Sequence, residues 1–302
     1  MKNSQTSEIT FAQNDTASLL APIFTHVSNT KGERDKDIVH YNYNGADITF
    51  RMFEKLDAIE QSVLLAIVGL SAKQGLLLPP EPKQGSISER LLSRLNKDTS
   101  ELAPFSNHPR VIKTSYYAIL KASGMGRSKQ SKERLIEALR RLSQVNYEIE
   151  TDRYITSENM VSLVVDKDEE MLYVGISSIL SYALENQYTY IDLVERKQLG
   201  SRAGVAHLLH ARLSASVNVG RSHSFNAERM ALMLNGYVSR QKKDGAWHEV
   251  YVDIDSVKLK NLKKYVVSSF RKIGKLDGWE ISEKGKGRDQ VFIVSRLDIN
   301  NI

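Results

Sequence analysis

The chain has 302 residues, 41% of them hydrophobic, which is enough for two domains of ordinary size with buried cores. Because it has no cysteine, disulfide bonds, thiolate metal sites and cysteine nucleophiles are excluded, and a cytoplasmic location is expected. The longest apolar run, residues 63–70, is too short to span a bilayer, so no membrane partner is expected.

The net charge of +6 is unevenly distributed along the chain. Residues 256–302 contain eleven Lys and Arg against five Asp and Glu, and residues 127–141 contain six against two. Localised positive charge of this kind attracts a polyanion such as DNA. The plainer alternative is that each segment is the solvated face of an exposed helix.

Residues 1–37 are polar and weakly patterned, and they are predicted to form a flexible leader. Alternation around Asn44-Gly45 predicts a β-hairpin over residues 38–50. Residues 83–109 are predicted to be an insertion that contains a helix. The other elements predicted here are helices over residues 56–73, 88–95, 114–122 and 128–145, a short strand at 76–78, strands at 146–150, 160–165 and 171–176, and a polar loop at 151–159.

After Gly200 a similar order of elements starts again. The elements predicted here are helices over residues 203–217, 226–234 and 256–275, a polar loop at 241–246, a strand at 247–254, and a hairpin of strands 278–282 and 290–296. Asp255 or Ser256 is expected to cap the last helix.

One pattern therefore occurs twice: a helix, a short helix, a long basic helix and a hairpin with a polar turn. This is the order of a winged helix, which is a helix-turn-helix followed by a β-hairpin wing. We expect an α+β protein with two tandem winged-helix domains that form a pseudo-repeat. The predicted division is a leader at residues 1–37, a first domain at 38–190 and a second domain at 191–302.

The two long basic helices are the predicted surface for double-stranded DNA. On a helical wheel, the apolar residues of the last helix share one side, and lysines alternate with side chains able to read base edges on the other. The second unit is expected to contribute more charge, because the first helix also carries Glu133 and Glu137. The predicted DNA-binding residues are Lys129, Gln130, Lys132, Arg140, Arg141, Lys258, Lys260, Asn261, Lys264, Ser268, Arg271, Lys272, Lys284, Lys286 and Arg288.

The residues that could form a catalytic or metal site also have ordinary structural explanations. No phosphate-binding glycine loop precedes a Lys-Ser or Lys-Thr pair, which argues against an ATPase. His207 and His210 lie one helical turn apart, but helical packing is the commoner role for such a pair. Acidic pairs at residues 166–170 and at Asp253 and Asp255 are explained by a turn and a helix cap. We therefore predict no catalytic residue, metal or cofactor, and a protein that is not an enzyme.

Four segments resemble a known family. They are Gly75-Leu76-Leu77-Leu78-Pro79-Pro80-Glu81-Pro82-Lys83, Val111-Ile112-Lys113-Thr114-Ser115-Tyr116, Leu208-Leu209-His210-Ala211-Arg212-Leu213 and Gly236-Tyr237-Val238. They are similar to motifs of the replication protein C family, the initiators of IncQ-type plasmids, and the resemblance covers residues 41–275. Two departures are His207, where the family has arginine, and Ser239, where it has tryptophan.

The resemblance implies a plasmid replication initiator that binds direct repeats, called iterons, at the origin. It also implies opening of an adjacent AT-rich duplex and partnership with the plasmid's helicase and primase, and it leaves room for a homodimer. One alternative is a winged-helix repressor of a plasmid operon. A second is a Mg-dependent primase or nuclease that uses Asp253 and Asp255.

Overall fold

The computed structural model describes residues 9–27, 34–95, 109–153, 155–186, 188–200, 203–244 and 246–298. Within these residues the chain is a mixed α+β protein whose strands form five separate sheets. No described helix is long and apolar enough to cross a bilayer.

The N-terminal part differs from the predicted flexible leader. Residues 11–20 form a strand and a short helix, and Ala12 is fully buried. Asp15 caps the helix and accepts a hydrogen bond from the buried Tyr147 hydroxyl at 3.0 Å. Residues 1–8 and 28–33 of the predicted leader lie outside the described residues. The elements here are β1 (Phe11–Asp15), α1 (Thr16–Leu20) and the predicted hairpin of β2 (Asp37–Tyr43) and β3 (Ala46–Met52).

A buried helix organises the first half. It begins with a capping box between Asp57 and Glu60, and it is buried over most of its length. The structure adds a strand before the short helix, where the sequence predicted none. The elements are α2 (Ala58–Gln74), β4 (Leu76–Leu77), α3 (Ile87–Leu95), β5 (Arg110–Ser115), α4 (Tyr116–Ala122) and α5 (Lys129–Leu142).

Four strands follow α5, and the loop predicted at residues 151–159 is partly wrong. Residues 155–159 are a strand, because the polar segment alternates and pairs with the strand before it. These strands are β6 (Val145–Glu150), β7 (Ile155–Asn159), β8 (Val161–Asp166) and β9 (Met171–Ile176). They complete two sheets, with orders β2-β3-β6-β7 and β4-β5-β9-β8.

Three elements that the sequence did not predict join the halves. They are α6 (Ser178–Asn186), β10 (Tyr188–Asp192) and α7 (Leu193–Leu199). Strand β10 pairs antiparallel with β1, from Phe11 opposite Asp192 to Asp15 opposite Tyr188. This pairing of distant segments holds residues 11–15 in the fold.

The second half follows the predicted order, with two added strands at residues 222–226 and 238–243. The loop predicted at residues 241–246 is largely wrong, because residues 238–243 form a strand paired with the next one. The elements are α8 (Gly204–Ser216), β11 (Ser222–Asn226), α9 (Ala227–Leu234), β12 (Val238–Lys243), β13 (Ala246–Tyr251), α10 (Ser256–Ile273), β14 (Trp279–Lys284) and β15 (Val291–Arg296).

The two halves share an order of elements and a core. Each contains helix, strand, helix, long helix and hairpin, and the strand pairs with the second hairpin strand, giving β5-β9-β8 and β11-β15-β14. The first half has β4, α3, β6 and β7 in addition to this order, and the second half has β12 and β13 before its long helix. One hydrophobic cluster includes residues from both halves, and Trp247 of the insertion donates to Asp47 Oδ1 at 2.7 Å. Burial therefore runs continuously across the predicted boundary at residue 190.

Candidate nucleic-acid interface

Helix α10 buries one side and exposes the other. The Asp255 side chain caps it, accepting from the backbone N–H groups of Val257 and Lys258 at 2.9 and 3.0 Å. Val266, Phe270 and Ile273 are fully buried. The residues predicted on this helix to bind DNA are all exposed, and they are here called the α10 face: Lys258, Lys260, Asn261, Lys264, Ser268, Arg271 and Lys272. The structure thus brings together on one surface every residue predicted on this helix.

The turn between β14 and β15, residues 284–290, lies beside this helix and is here called the basic tip. Lys284, Lys286 and Arg288 are all exposed there. The Lys263 ammonium donates to the Gly287 carbonyl, and Asn226 Nδ2 donates to the Arg288 carbonyl at 3.0 Å. The backbone of the basic tip is therefore held against α10 and the start of α9.

The basic tip requires glycine at position 285 for a steric reason. Its φ is +71°, and a Cβ added there would lie 2.4 Å from the Asp289 carbonyl oxygen. Gly287 also has a positive φ, +62°, but a Cβ there would meet nothing within 4 Å. The close approach of the two sides of the turn therefore depends on Gly285.

Most cations of the α10 face are available to a ligand. Among the described residues, Lys260, Lys264 and Lys272 have no ion-pair or hydrogen-bond partner for their side chains. Lys258 lies over the Tyr237 ring at 5.1 Å, and Arg271 forms an ion pair with Glu283 at 2.9 Å. Because exposed pairs of this kind contribute only about 0–1 kcal/mol, phosphate can compete for Arg271.

Helix α5 presents a more neutral surface. Lys129 and Gln130 are exposed at its start, after the Ser128 cap. Lys132 forms an ion pair with Glu170 at 3.0 Å and lies over the Tyr116 ring at 4.3 Å. Arg140 pairs with Glu137 one turn earlier at 2.9 Å. The predicted side chains share the helix, but several of its cations already have carboxylate partners.

Arg141 lies inside the protein. Its side chain is 12% exposed and binds Glu54 at 2.7 Å and Glu60 at 3.1 Å. Glu60 is also bound by Arg34, at 3.0 Å. Since a DNA phosphate would have to displace Glu54 and the buried Glu60, we exclude Arg141 from the proposed interface.

The turn between β8 and β9 is the counterpart of the basic tip and carries the opposite charge. Residues 166–170, here called the acidic tip, contain one lysine and four carboxylates. Asp166 Oδ1 accepts from the backbone of Asp168 and Glu169, and Glu169 pairs with Lys113 at 2.8 Å. The sequence indicated an acidic turn here, but not its contact with the basic residues of α5 and β5.

Two exposed apolar side chains on α10 were missed by the sequence analysis. Tyr265 is 59% exposed and Val257 is 65% exposed. Tyr265 directly follows Lys264, so a helical wheel of the sequence could have placed Tyr265 on the exposed side of the helix. Such groups can contact sugars or thymine methyls beside the lysines.

The two histidines considered for a metal site have local structural partners. His207 Nε2 donates to the Arg196 carbonyl at 3.0 Å, and His210 Nε2 is 2.6 Å from Glu195 Oε2. Burial lowers the pKa of His207 to about 3, with Arg196 as the next cause. Among the described residues, no group of three or more His, Asp or Glu is placed to hold a metal ion.

Comparison with known families identifies the chain. A family model described as Replication protein C (RepC) matches residues 6–290. The chain belongs to the replication protein C family. This membership confirms the resemblance drawn from the sequence motifs, supports a role as a replication initiator, and makes DNA the expected partner.

Solved structures with a similar fold include two of RctB. A crystal structure of selenomethionine derivatives of its domains 2 and 3 has a TM-score of 0.53 at 9% identity, covering 93% of this chain and 98% of that one. A structure of RctB domains 2-3, residues 155–483, has a TM-score of 0.48 at 8% identity, with 95% and 98% covered. The first supports the α+β fold over nearly the whole chain. A search of curated proteins finds no match.

Proposed function

We propose that this chain is a plasmid replication initiator that binds iteron repeats at an origin through two winged-helix units. The observation that carries the proposal is the α10 face, which sets exposed lysines around Asn261 and Ser268 beside the basic tip. Phosphate contacts from lysines fix a helix on duplex DNA, while amide and hydroxyl groups read base edges in the major groove. The α10 face has both kinds of group.

The proposal treats each half as one winged helix. In this description α4 and α5, and α9 and α10, are the helix-turn-helix pairs, and the hairpins β8-β9 and β14-β15 are the wings. The likeness to domains 2 and 3 of RctB supports two units. The proposed boundary at residues 190 and 191 separates the two DNA-binding units, although the two units share one hydrophobic core.

The two units would contact successive major grooves, about one helical turn apart. The second contributes more electrostatic affinity, because the acidic tip partly neutralises the first. Several copies bound on phased repeats would bend the DNA, and flexible AT-rich steps would open first. The plasmid's helicase and primase would then be recruited. We further propose that the protein forms a homodimer and acts in the cytoplasm. The proposal includes no enzymatic step.

Hydroxyl-radical footprinting on the origin of the plasmid that encodes the protein tests this proposal. We expect each repeat to be protected over about two helical turns, on one side of the duplex. Protection of one groove only, or none, would contradict the tandem arrangement. A chain with all three lysines Lys260, Lys264 and Lys272 changed to alanine is the matched control, and it should lose protection over one turn.

Permanganate reactivity separates an initiator from a repressor on the same scaffold. An initiator makes thymines beside the repeats reactive when it is bound, whereas a repressor protects its site and leaves the neighbouring duplex paired. Reactive thymines with wild type and none with the triple lysine variant would support initiation. Full protection of the repeats without any reactive thymine would favour the repressor.

A further inference from the structure

A cavity of about 450 Å³ lies where the two halves meet, away from the α10 face. Its wall is formed by the start of α2, the turn between α4 and α5, helix α7 and the start of α8. Glycines 124, 126, 200 and 204 line it, so backbone approaches the space closely on several sides. The volume exceeds that of one or two waters and suits a small molecule.

The charged groups that line the cavity are all basic. Arg134 of α5 and Arg196 and Lys197 of α7 contribute to its wall, together with His207 of α8. Among the described lining residues there is no Asp or Glu. Arg134 is exposed and has no carboxylate partner in the described part of the chain. A small anion would therefore meet positive charge and no opposing carboxylate.

Arg196 is the most unusual of these groups because it is a buried cation. It is 4% exposed, and its guanidinium donates to the His207 carbonyl at 2.8 Å, Gln61 Oε1 at 3.2 Å and Ser62 Oγ at 3.0 Å. All three acceptors are neutral. Burial lowers the pKa of Arg196 to about 9. A buried charge normally has an ionic partner, and among the described residues Arg196 has none.

Helix α8 adds partial positive charge to the same space. It is 13 residues long and begins at the cavity, and its N-cap residue Ala203 supplies no side-chain hydrogen bond. Ala203 therefore offers no capping oxygen to the first backbone N–H groups of α8. The first turn of α2 also lines the cavity, through Ala58 and Ile59, but its backbone N–H groups are already capped by Asp57 and Glu60. Helix starts favour anions, and the start of α8 coincides with the buried arginine.

From these observations we infer that the cavity binds a phosphate group, held by Arg134 and Arg196 and by the backbone at the start of α8. Arginine binds phosphate through charge-assisted N–H donors. The phosphate can belong to a small phosphate ester or to the backbone of bound DNA. The site is independent of the α10 face, so its test requires no origin DNA.

Isothermal titration calorimetry with inorganic phosphate and with thymidine monophosphate tests the site. We expect the wild-type chain to bind both probes at one site. Arg134→Gln should weaken binding about tenfold or more, because it removes a charge-assisted hydrogen bond. Arg90→Gln removes an exposed cation of α3 outside the cavity and should leave binding unchanged.

A second variant probes the buried arginine. Arg196→Lys keeps the charge but loses the paired donors, and it should weaken both probes if circular dichroism shows a wild-type fold. The inference is overturned if wild type binds neither probe, or if Arg134→Gln and Arg90→Gln bind them equally well. Random duplex DNA added to the loaded protein identifies the source: displacement of thymidine monophosphate assigns the site to DNA phosphate, and retention assigns it to a free ester.

Discussion

Lys132 of α5 forms an ion pair with Glu170 at 3.0 Å, so the basic helix of the first half is tied to the acidic tip of its own hairpin. The Lys132 and Glu170 side chains are 39% and 75% exposed, and such a pair contributes only about 0–1 kcal/mol. The pair is therefore easy to break. In the proposed complex, the larger effect on DNA binding would come from the carboxylates of the acidic tip, which lie where phosphate would approach.

Removing charge from the acidic tip should therefore strengthen DNA binding. We expect the double variant Glu169→Gln and Glu170→Gln to bind duplex DNA of any sequence several times more tightly at low salt. The slope of log affinity against log salt should steepen by about 0.9 for each lysine freed to contact phosphate. Fluorescence anisotropy over a salt series measures both quantities.

Glu150→Gln is the control for this prediction. Glu150 is exposed on β6, in a different sheet from the acidic tip, so its removal raises the net charge by one, half the change in the double variant, without freeing Lys132 or Lys113. If the control gives half or more of the logarithmic gain in affinity of the double variant, only net charge matters and the local argument fails.

The α10 face divides into positioning and reading side chains. Lys264→Ala should weaken binding to specific and random DNA alike and reduce the salt slope by about 0.9. Asn261→Ala should instead cost about 1–3 kcal/mol of discrimination on the specific site, with little change on random DNA. Lys83→Ala, in the loop before α3, is the control. Equal losses on both DNAs for Asn261→Ala would contradict the assigned role.

Arg140 and Arg141 are adjacent in the sequence but should behave differently. Arg141→Ala leaves Glu54 without its cation and Glu60 with Arg34 alone, and losing these hydrogen bonds to charged groups should cost about 1.5–3 kcal/mol of unfolding free energy. Arg140→Ala removes an exposed pair and should cost less than about 1 kcal/mol. Urea unfolding at pH 7 compares them. A stable Arg141→Ala chain with weakened DNA binding would return Arg141 to the interface.

The basic tip should tolerate alanine at one glycine and not at the other. Gly287→Ala places a side chain at positive φ in open space and should cost about 1–2 kcal/mol locally. Gly285→Ala adds a clash with the Asp289 carbonyl, so the turn must open. We expect Gly285→Ala to reduce DNA affinity more than Gly287→Ala does, and hydrogen exchange at residues 284–290 to rise. Equal affinities would show that the tip does not contact DNA.

The sequence predicted those features that local periodicity encodes. The apolar residues of α10 recur at helical spacing, and its Asp255 cap directly precedes the helix. The sequence therefore predicted both the helix and its exposed lysines. Strand β1 was missed because its partner β10 lies 177 residues away, from Phe11 to Tyr188, and only that pairing orders a polar segment. The contacts of Arg141 and the convergence of Arg134 with Arg196 depend likewise on tertiary packing.

His207 gives the fold a pH dependence with a definite sign. Burial lowers its pKa from 6.5 to about 3, so the folded chain keeps it neutral while the unfolded chain protonates below 6.5. Its contribution to stability is therefore complete above pH 6.5 and is lost as pH falls toward 3. His207→Gln keeps an N–H donor for the Arg196 carbonyl but cannot titrate. Urea unfolding across this range should show a smaller loss of unfolding free energy in the variant than in wild type, with the difference constant above pH 7. Parallel curves throughout would mean that His207 is solvated when folded.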